Sequence, residues 1–328
     1  MKKLLYPNLY KELITLLRSV SQVFLINNAL SGALILIGIA CNSWQQALMA
    51  LLGAAVARMT ASLCGYERRD IEDGLYGFNG VLVGIAVGVY WAIDWLSLLF
   101  VIVGAAASTP IASCFRKRTR LPGLTAPFII AVWVLLLISA VAPEAMGRLT
   151  TAAPSAEPYS YLRVPADSFG QVMFQANALS GLLFFVAILS VSRRKALYAL
   201  AAALLPMLLI PVVPQLMWRE GLLGYNAVLC ALYWADAAHR PLLRALLSVV
   251  LSVAVQLLAM HLHAIPLTAP FVLSVWAVWL WKEPSSPYQR PHSDNLERAE
   301  RTYAKVSVRY PLLSRTAPNI RERTYTDV

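Results

Sequence analysis

The sequence predicts an all-α polytopic membrane protein: an inverted repeat of two five-helix halves around a central pore, each half with one re-entrant or broken helix. Three observations carry this. Of 328 residues, 59% are hydrophobic and 14% charged, whereas a soluble domain carries about a quarter charged residues. Apolar runs as long as the roughly 30 Å hydrocarbon core requires recur from residue 22 to residue 281. Segments of the first half also return, in the same order, in the second.

Residues 1–20, "MKKLLYPNLYKELITLLRSV", read as an N-terminal amphipathic segment lying at the membrane interface. Lys11, Glu12 and Arg18 interrupt the apolar stretch that a cleaved leader needs. The first repeat, 21–142, carries spans near 22–40, 45–63, 75–91, 95–114 and 123–142. An extracytoplasmic linker, 143–168, leads to the second repeat, 169–281, with spans near 169–191, 196–216, 222–237, 245–262 and 267–281. Residues 282–328 form a basic cytoplasmic tail, with little apolar periodicity and one short helix around 293–306, suited to anionic lipid.

The third span of each repeat is the weak one. Gly74, Gly77, Gly80, Gly84 and Gly88 in "GLYGFNGVLVG" and beyond, and Gly221 and Gly224 in "GLLGYNAVLCA", leave the backbone poorly committed to a continuous helix. The broken or re-entrant element is therefore expected there.

Charge gives the orientation. Of 28 Lys and Arg, 24 fall in 1–20, 64–73, 115–120, 192–195, 239–244 and 282–328. The opposite side holds Arg148, Arg163 and Arg219, and Arg58 lies near a span end from which it can snorkel. Such a bias predicts ten crossings with both termini in the cytoplasm. The formal charge of +11 is then topology, and its dispersal over loops speaks against nucleic-acid binding. Cys41, Cys64, Cys114 and Cys230 lie far apart, so neither a metal site nor a disulfide framework is indicated.

The duplication is explicit. "NNALSGALIL" at 27–36 returns as "ANALSGLLFF" at 176–185, "GLYGFNG" at 74–80 as "GLLGYNA" at 221–227, and "LTAPFIIAVW" at 124–133 as "LTAPFVLSVW" at 267–276. An odd number of crossings per half makes the second copy enter from the opposite face, about a pseudo-twofold axis in the membrane plane. Irregular backbone at depth must be buried in protein or line a polar cavity, so two symmetric irregular segments predict a central path. The glycines alone fit close helix packing equally well. Asn79 and Asn226, at matching positions, must find partners at depth, most simply freed backbone groups.

Ionisable residues mark coupled transport inside membranes, and no Asp or Glu falls in the middle of a predicted span. The polar residues at depth are neutral and paired: Gln22 and Gln171, Asn28 and Asn177, Ser31 and Ser180, Thr125 and Thr268. Each alone is more often an interhelical hydrogen bond; their symmetric recurrence favours the lining of a path for a small, neutral, hydrogen-bonding solute.

"GLYGFNGVLVG" with "LPGLTAPF", and their second copies "GLLGYNA" and "IPLTAPF", resemble the urea transporter family over roughly residues 15–282. The resemblance implies a homotrimer in a bacterial inner membrane, with one pore per subunit passing urea passively and without cofactor. It places aromatic slot walls at Phe78 and Tyr225, with Leu82 and Leu229 one helical turn later, pore-mouth amides at Gln22 and Gln171 followed by Val23 and Val172, and mid-pore hydroxyls at Thr125 and Thr268. Leu25 stands where a slot aromatic can stand, Ser21 where the family favours Gly, and Ala264-Ile265-Pro266 replaces Leu-Pro.

The chemistry of urea asks for the same parts. The solute is planar, with one carbonyl acceptor and four N–H donors. It needs a flat gap between apolar faces and a column of acceptors along one edge, which aromatic and leucine side chains, glutamine amides and freed carbonyls supply. The rival is a channel for another small neutral solute such as a short amide, ammonia or water; no Asn-Pro-Ala pair or mid-membrane histidine pair favours the last two. An embedded enzyme lacks a motif: there is no HExxH, no GxSxG and no carboxylate pair at depth.

Overall fold

The computed structural model describes residues 2–141 and 161–282, and every regular element among them is helical. The expected tail beyond residue 282, with its helix around 293–306, and the linker up to residue 160 lie outside the described residues.

The first half comprises α1 (Lys2–Gln22), α2 (Ala29–Asn42), α3 (Trp44–Leu63), a short α4 (Arg68–Glu72), α5 (Gly77–Tyr90), α6 (Trp95–Arg118) and α7 (Ala126–Val141). The second repeats the order with α8 (Val164–Gln171), α9 (Ala178–Val191), α10 (Arg193–Leu204), a short α11 (Gln215–Trp218), α12 (Tyr225–Trp234), α13 (Pro241–His261) and α14 (Ala269–Lys282). Helices α3, α6 and α13 are long and apolar enough to cross a membrane, and α2, α5, α7, α9 and α14 are shorter apolar helices. Leu48, Ile102, Leu137, Val250 and Leu258 are exposed on their outer faces, a surface for lipid or an apolar partner to cover.

Two sequence expectations are corrected. The spans near 22–40 and 169–191 are not continuous: α1 stops at Gln22 and α2 starts at Ala29, and α8 stops at Gln171 and α9 starts at Ala178. Within these breaks Leu25 (φ 56°) and Phe174 (φ 57°) adopt left-handed backbone, which costs a residue with a Cβ about 1–2 kcal/mol. Local hydrogen bonds hold the first break: Ser21 Oγ donates to Ile26 O at 2.9 Å and accepts from Asn28 N–H at 3.2 Å. Asn28 and Asn177 then cap the next helices, accepting from the N–H groups of Ser31 and Ser180.

The third spans, expected to be broken or re-entrant, are not broken: they carry the continuous helices α5 and α12. Their glycines serve packing. A Cβ on Gly80 would lie 2.2 Å from Gly53 O, and one on Gly53 2.0 Å from Gly80 O, so α3 and α5 touch backbone to backbone. The irregularity is confined to the turn before each helix, where Gly74 (φ 77°) and Gly221 (φ 74°) take conformations that other residues adopt only under strain. Helix α5 has 14 residues, a length of about 21 Å, shorter than the hydrocarbon core.

The halves meet through contacts that answer one another. Ser31 Oγ, early in α2, donates to Ala187 O, late in α9, at 3.0 Å; Ser180 Oγ, early in α9, donates to Gly38 O of α2 at 2.7 Å. The two equivalent helices therefore run antiparallel, with Phe24 and Phe184 packed at 5.5 Å beside them. Trp133 Nε1 donates to Ile265 O at 2.9 Å and Trp276 Nε1 to Pro122 O at 2.8 Å, again one contact made twice with the halves exchanged.

Candidate functional site

The site is organised by the two "LTAPF" segments. Leu124 (φ 47°) and Leu267 (φ 49°) turn the chain through left-handed backbone just before α7 and α14. Proline in the first turn of each helix, Pro127 and Pro270, has no N–H to satisfy, so the first N–H groups needing partners soon after are those of Phe128 and Phe271. These donate to Asn79 Oδ1 at 3.1 Å and Asn226 Oδ1 at 3.2 Å. Asn79 Nδ2 reaches Leu124 O at 3.5 Å, and Asn226 Nδ2 donates to Gln256 Oε1 at 3.1 Å. The two asparagines thus tie down freed backbone groups, as their matching positions led one to expect.

With the turns held this way, Thr125 and Thr268 face each other across the halves, their hydroxyl oxygens 2.7 Å apart and the residues 3% and 1% exposed. One hydroxyl donates to the other. One O–H and several lone pairs remain unspent by the pair.

Around this centre, Phe78 is half-buried and Tyr225 buried, at the starts of α5 and α12. Leu82 and Leu229 follow one turn on, both fully buried. The two aromatics differ in one respect: the Tyr225 hydroxyl donates to Leu267 O at 2.5 Å, so this ring is anchored to the left-handed turn. Gln22 and Gln171 each end the helix that precedes a break, α1 and α8. Gln22 Nε2 donates to Asp73 O at 2.9 Å, which leaves its Oε1 available as an acceptor. Val23 and Val172 are buried behind them, and Leu25 is half-buried on the break itself.

Thr125 and Thr268 are thus brought into direct contact, while Gln22 and Gln171 belong to separate helix ends. Sequence reasoning missed Gln256, a lone amide in the apolar run of α13 that accepts from Asn226; a polar residue at such depth is itself a signal. It also missed Asp167, a carboxylate 2% exposed. Asp167 lies in the first turn of α8, where the positive end of the helix dipole favours a carboxylate.

The described residues define a class: a helical integral membrane protein whose two halves meet at a buried pair of threonine hydroxyls. Within that class the chain belongs to the urea transporter family, whose model, described as UT, urea transporter, matches residues 13–283. Urea transporter 1 of Ovis aries is 29% identical over 238 residues, 66% of this chain and 61% of that protein. Urea transporter 1 of Rattus norvegicus is 29% identical over 243 residues, with the same shares. That of Mus musculus is 32% identical over 151 residues, 43% of this chain and 36% of that protein. The chain spans about three-fifths of the length of the sheep and rat relatives.

Proposed function

We propose that the protein is a passive, channel-like path for urea, running between its two halves and past the Thr125–Thr268 pair. The observation that carries this is the buried 2.7 Å contact of the two hydroxyls, on a family background of urea transporters. The halves form an inverted repeat, related by a twofold axis in the membrane plane; the antiparallel α2 and α9 and the exchanged serine and tryptophan contacts support this. On this reading Thr125 and Thr268 lie on the axis at mid-path, Phe78 and Tyr225 with Leu82 and Leu229 wall a flat slot on either side, and Gln22 with Val23 and Leu25, and Gln171 with Val172, form the two mouths.

Urea entering the slot gives up water. The carbonyls of Leu124 and Leu267, turned by left-handed backbone, and the threonine oxygens replace it as acceptors for the urea N–H groups, and a threonine O–H serves the urea carbonyl. The apolar walls admit a planar molecule edge-on and give a charged one nothing to replace its hydration. The protein works as a homotrimer with one path per subunit, in a bacterial inner membrane with both termini cytoplasmic.

Stopped-flow light scattering on proteoliposomes with urea, acetamide, ammonia and glycerol tests the reading. Urea flux should exceed the others, follow its own gradient and ignore imposed proton and sodium gradients. Accumulation of urea against its gradient, or urea flux no greater than that of empty liposomes, overturns it.

A further inference from the structure

Helices α3 and α10 start alike: Ser43 Oγ accepts from Gln46 N–H at 3.3 Å and Ser192 Oγ from Lys195 N–H at 3.2 Å. Gln46 and Lys195 therefore hold the same helical position in the two halves, and each side chain reaches the helix break of the opposite half. Gln46 Oε1 accepts from Gln175 Nε2 at 2.7 Å. Gln175 is fully buried, takes Asn42 Nδ2 on its Oε1 at 2.8 Å and donates to Met173 O at 2.7 Å. The break at 172–177 is thus held by a neutral amide network.

The other break is held differently. Ile26 stands where the second half has Gln175, so the amide link to the opposite half has no counterpart here; the neighbouring Asn27 Nδ2 donates within its own half, to Asp73 Oδ1 at 2.9 Å. The Lys195 ammonium instead donates to the carbonyl of left-handed Leu25 at 2.7 Å and pairs with Asp236 at 2.9 Å, with the lysine side chain 12% exposed. A charge-assisted bond in a shielded place is stronger than a neutral one.

We propose that Lys195 and Gln46 are the positioning residues of the two pore mouths, and that the mouth at Leu25 is set by a charged clasp, Asp236 to Lys195 to Leu25 O, while the mouth at Phe174 is set by a neutral one. The consequence for solute selection rests on the proposed urea path; the bracing of the breaks does not. Without the ammonium, Leu25 O loses its donor and the left-handed turn its brace, so the slot next to Gln22 widens.

Hydrogen exchange followed by mass spectrometry on the purified, membrane-embedded protein tests the bracing. Lys195→Met should speed amide exchange in residues 23–28 by about tenfold, the size expected for losing one charge-assisted bond, and leave 172–177 unchanged. Gln46→Leu should do the reverse, and Lys195→Arg should keep the wild-type pattern. In proteoliposomes Lys195→Met should raise N-methylurea permeability relative to urea, and Lys195→Arg should restore the ratio. Unchanged exchange at 23–28, or faster exchange throughout the chain with a lowered melting temperature, overturns the clasp; an unchanged permeability ratio overturns its part in selection. Should wild-type liposomes pass no urea, the proposed function fails while the exchange experiment still decides the clasp. Urea flux in the wild type with unaltered exchange in both variants leaves the path standing and removes the clasp.

Discussion

Thr125→Val removes one member of the hydroxyl pair and keeps the shape of the side chain. The partner Thr268 hydroxyl sits 2.7 Å away in a residue 1% exposed. Orphaning a buried hydroxyl costs about 1–3 kcal/mol, part of it offset by the added methyl surface of valine. Thr268→Val should cost about the same, because the contact is made by the same residue of the same motif in each half. The double variant leaves neither hydroxyl behind, so it should be no less stable than either single one, which gives a coupling of about 1–2 kcal/mol in a double-mutant cycle. For transport, loss of one solute partner worth roughly 1 kcal/mol lowers urea permeability about fivefold in each single variant. The assays are unfolding of the four proteins in one detergent and stopped-flow flux normalised to folded protein. Stabilities that add within about 0.5 kcal/mol would refute the pairing. Unchanged urea permeability in both single variants would remove the threonines from the path.

Other substitutions separate wall, cap and packing roles. Phe78→Ala should weaken exclusion of bulkier amides more than it lowers urea flux, and an unchanged permeability ranking in a folded protein would reduce Phe78 to a packing residue. Asn79→Leu leaves Phe128 N–H without its acceptor and should lower stability by about 1–2 kcal/mol, as loss of a helix cap does; Asn226→Leu should cost at least as much, since it also takes a donor from Gln256. A thermal midpoint indistinguishable from wild type in both would show that neither asparagine caps its helix. Gly80→Ala forces a Cβ to within 2.2 Å of Gly53 O and should destabilise by about 1–3 kcal/mol or more. In Gly88→Ala the nearest atom is Gln46 Cγ at 3.4 Å, so this variant should melt like wild type, and equal melting of the two would argue against the close α3–α5 approach.

The candidate site was legible in the sequence where duplication made it so. Thr125 and Thr268, Asn79 and Asn226, and Gln22 and Gln171 each announce themselves by recurring in a matched frame, a pattern that random burial of polar residues does not produce. Positions in which the halves differ were silent for the same reason: Lys195 counted only among the loop cations of 192–195, and nothing in the repeated motifs singled out Gln46 or Asp167.

Composition and hydropathy determined by themselves that this chain lives in a membrane as helices, because burying peptide groups away from water leaves few other solutions, and the repeated motifs determined which residues are equivalent. Where the helices break was decided only by tertiary structure. Glycine marks permitted backbone freedom, and the sequence places it in the third spans, yet α5 and α12 use that freedom for contact with neighbouring helices and stay unbroken. The breaks and the turns before α7 and α14 instead place Leu25, Phe174, Leu124 and Leu267 in left-handed backbone, and their side chains advertise no such conformation. Two of them have partners distant in sequence, for Leu25 an ammonium of the other half 170 residues away and for Leu267 a tyrosine hydroxyl of its own half 42 residues away, and a local reading of the chain does not contain interactions that form only when remote helices pack together.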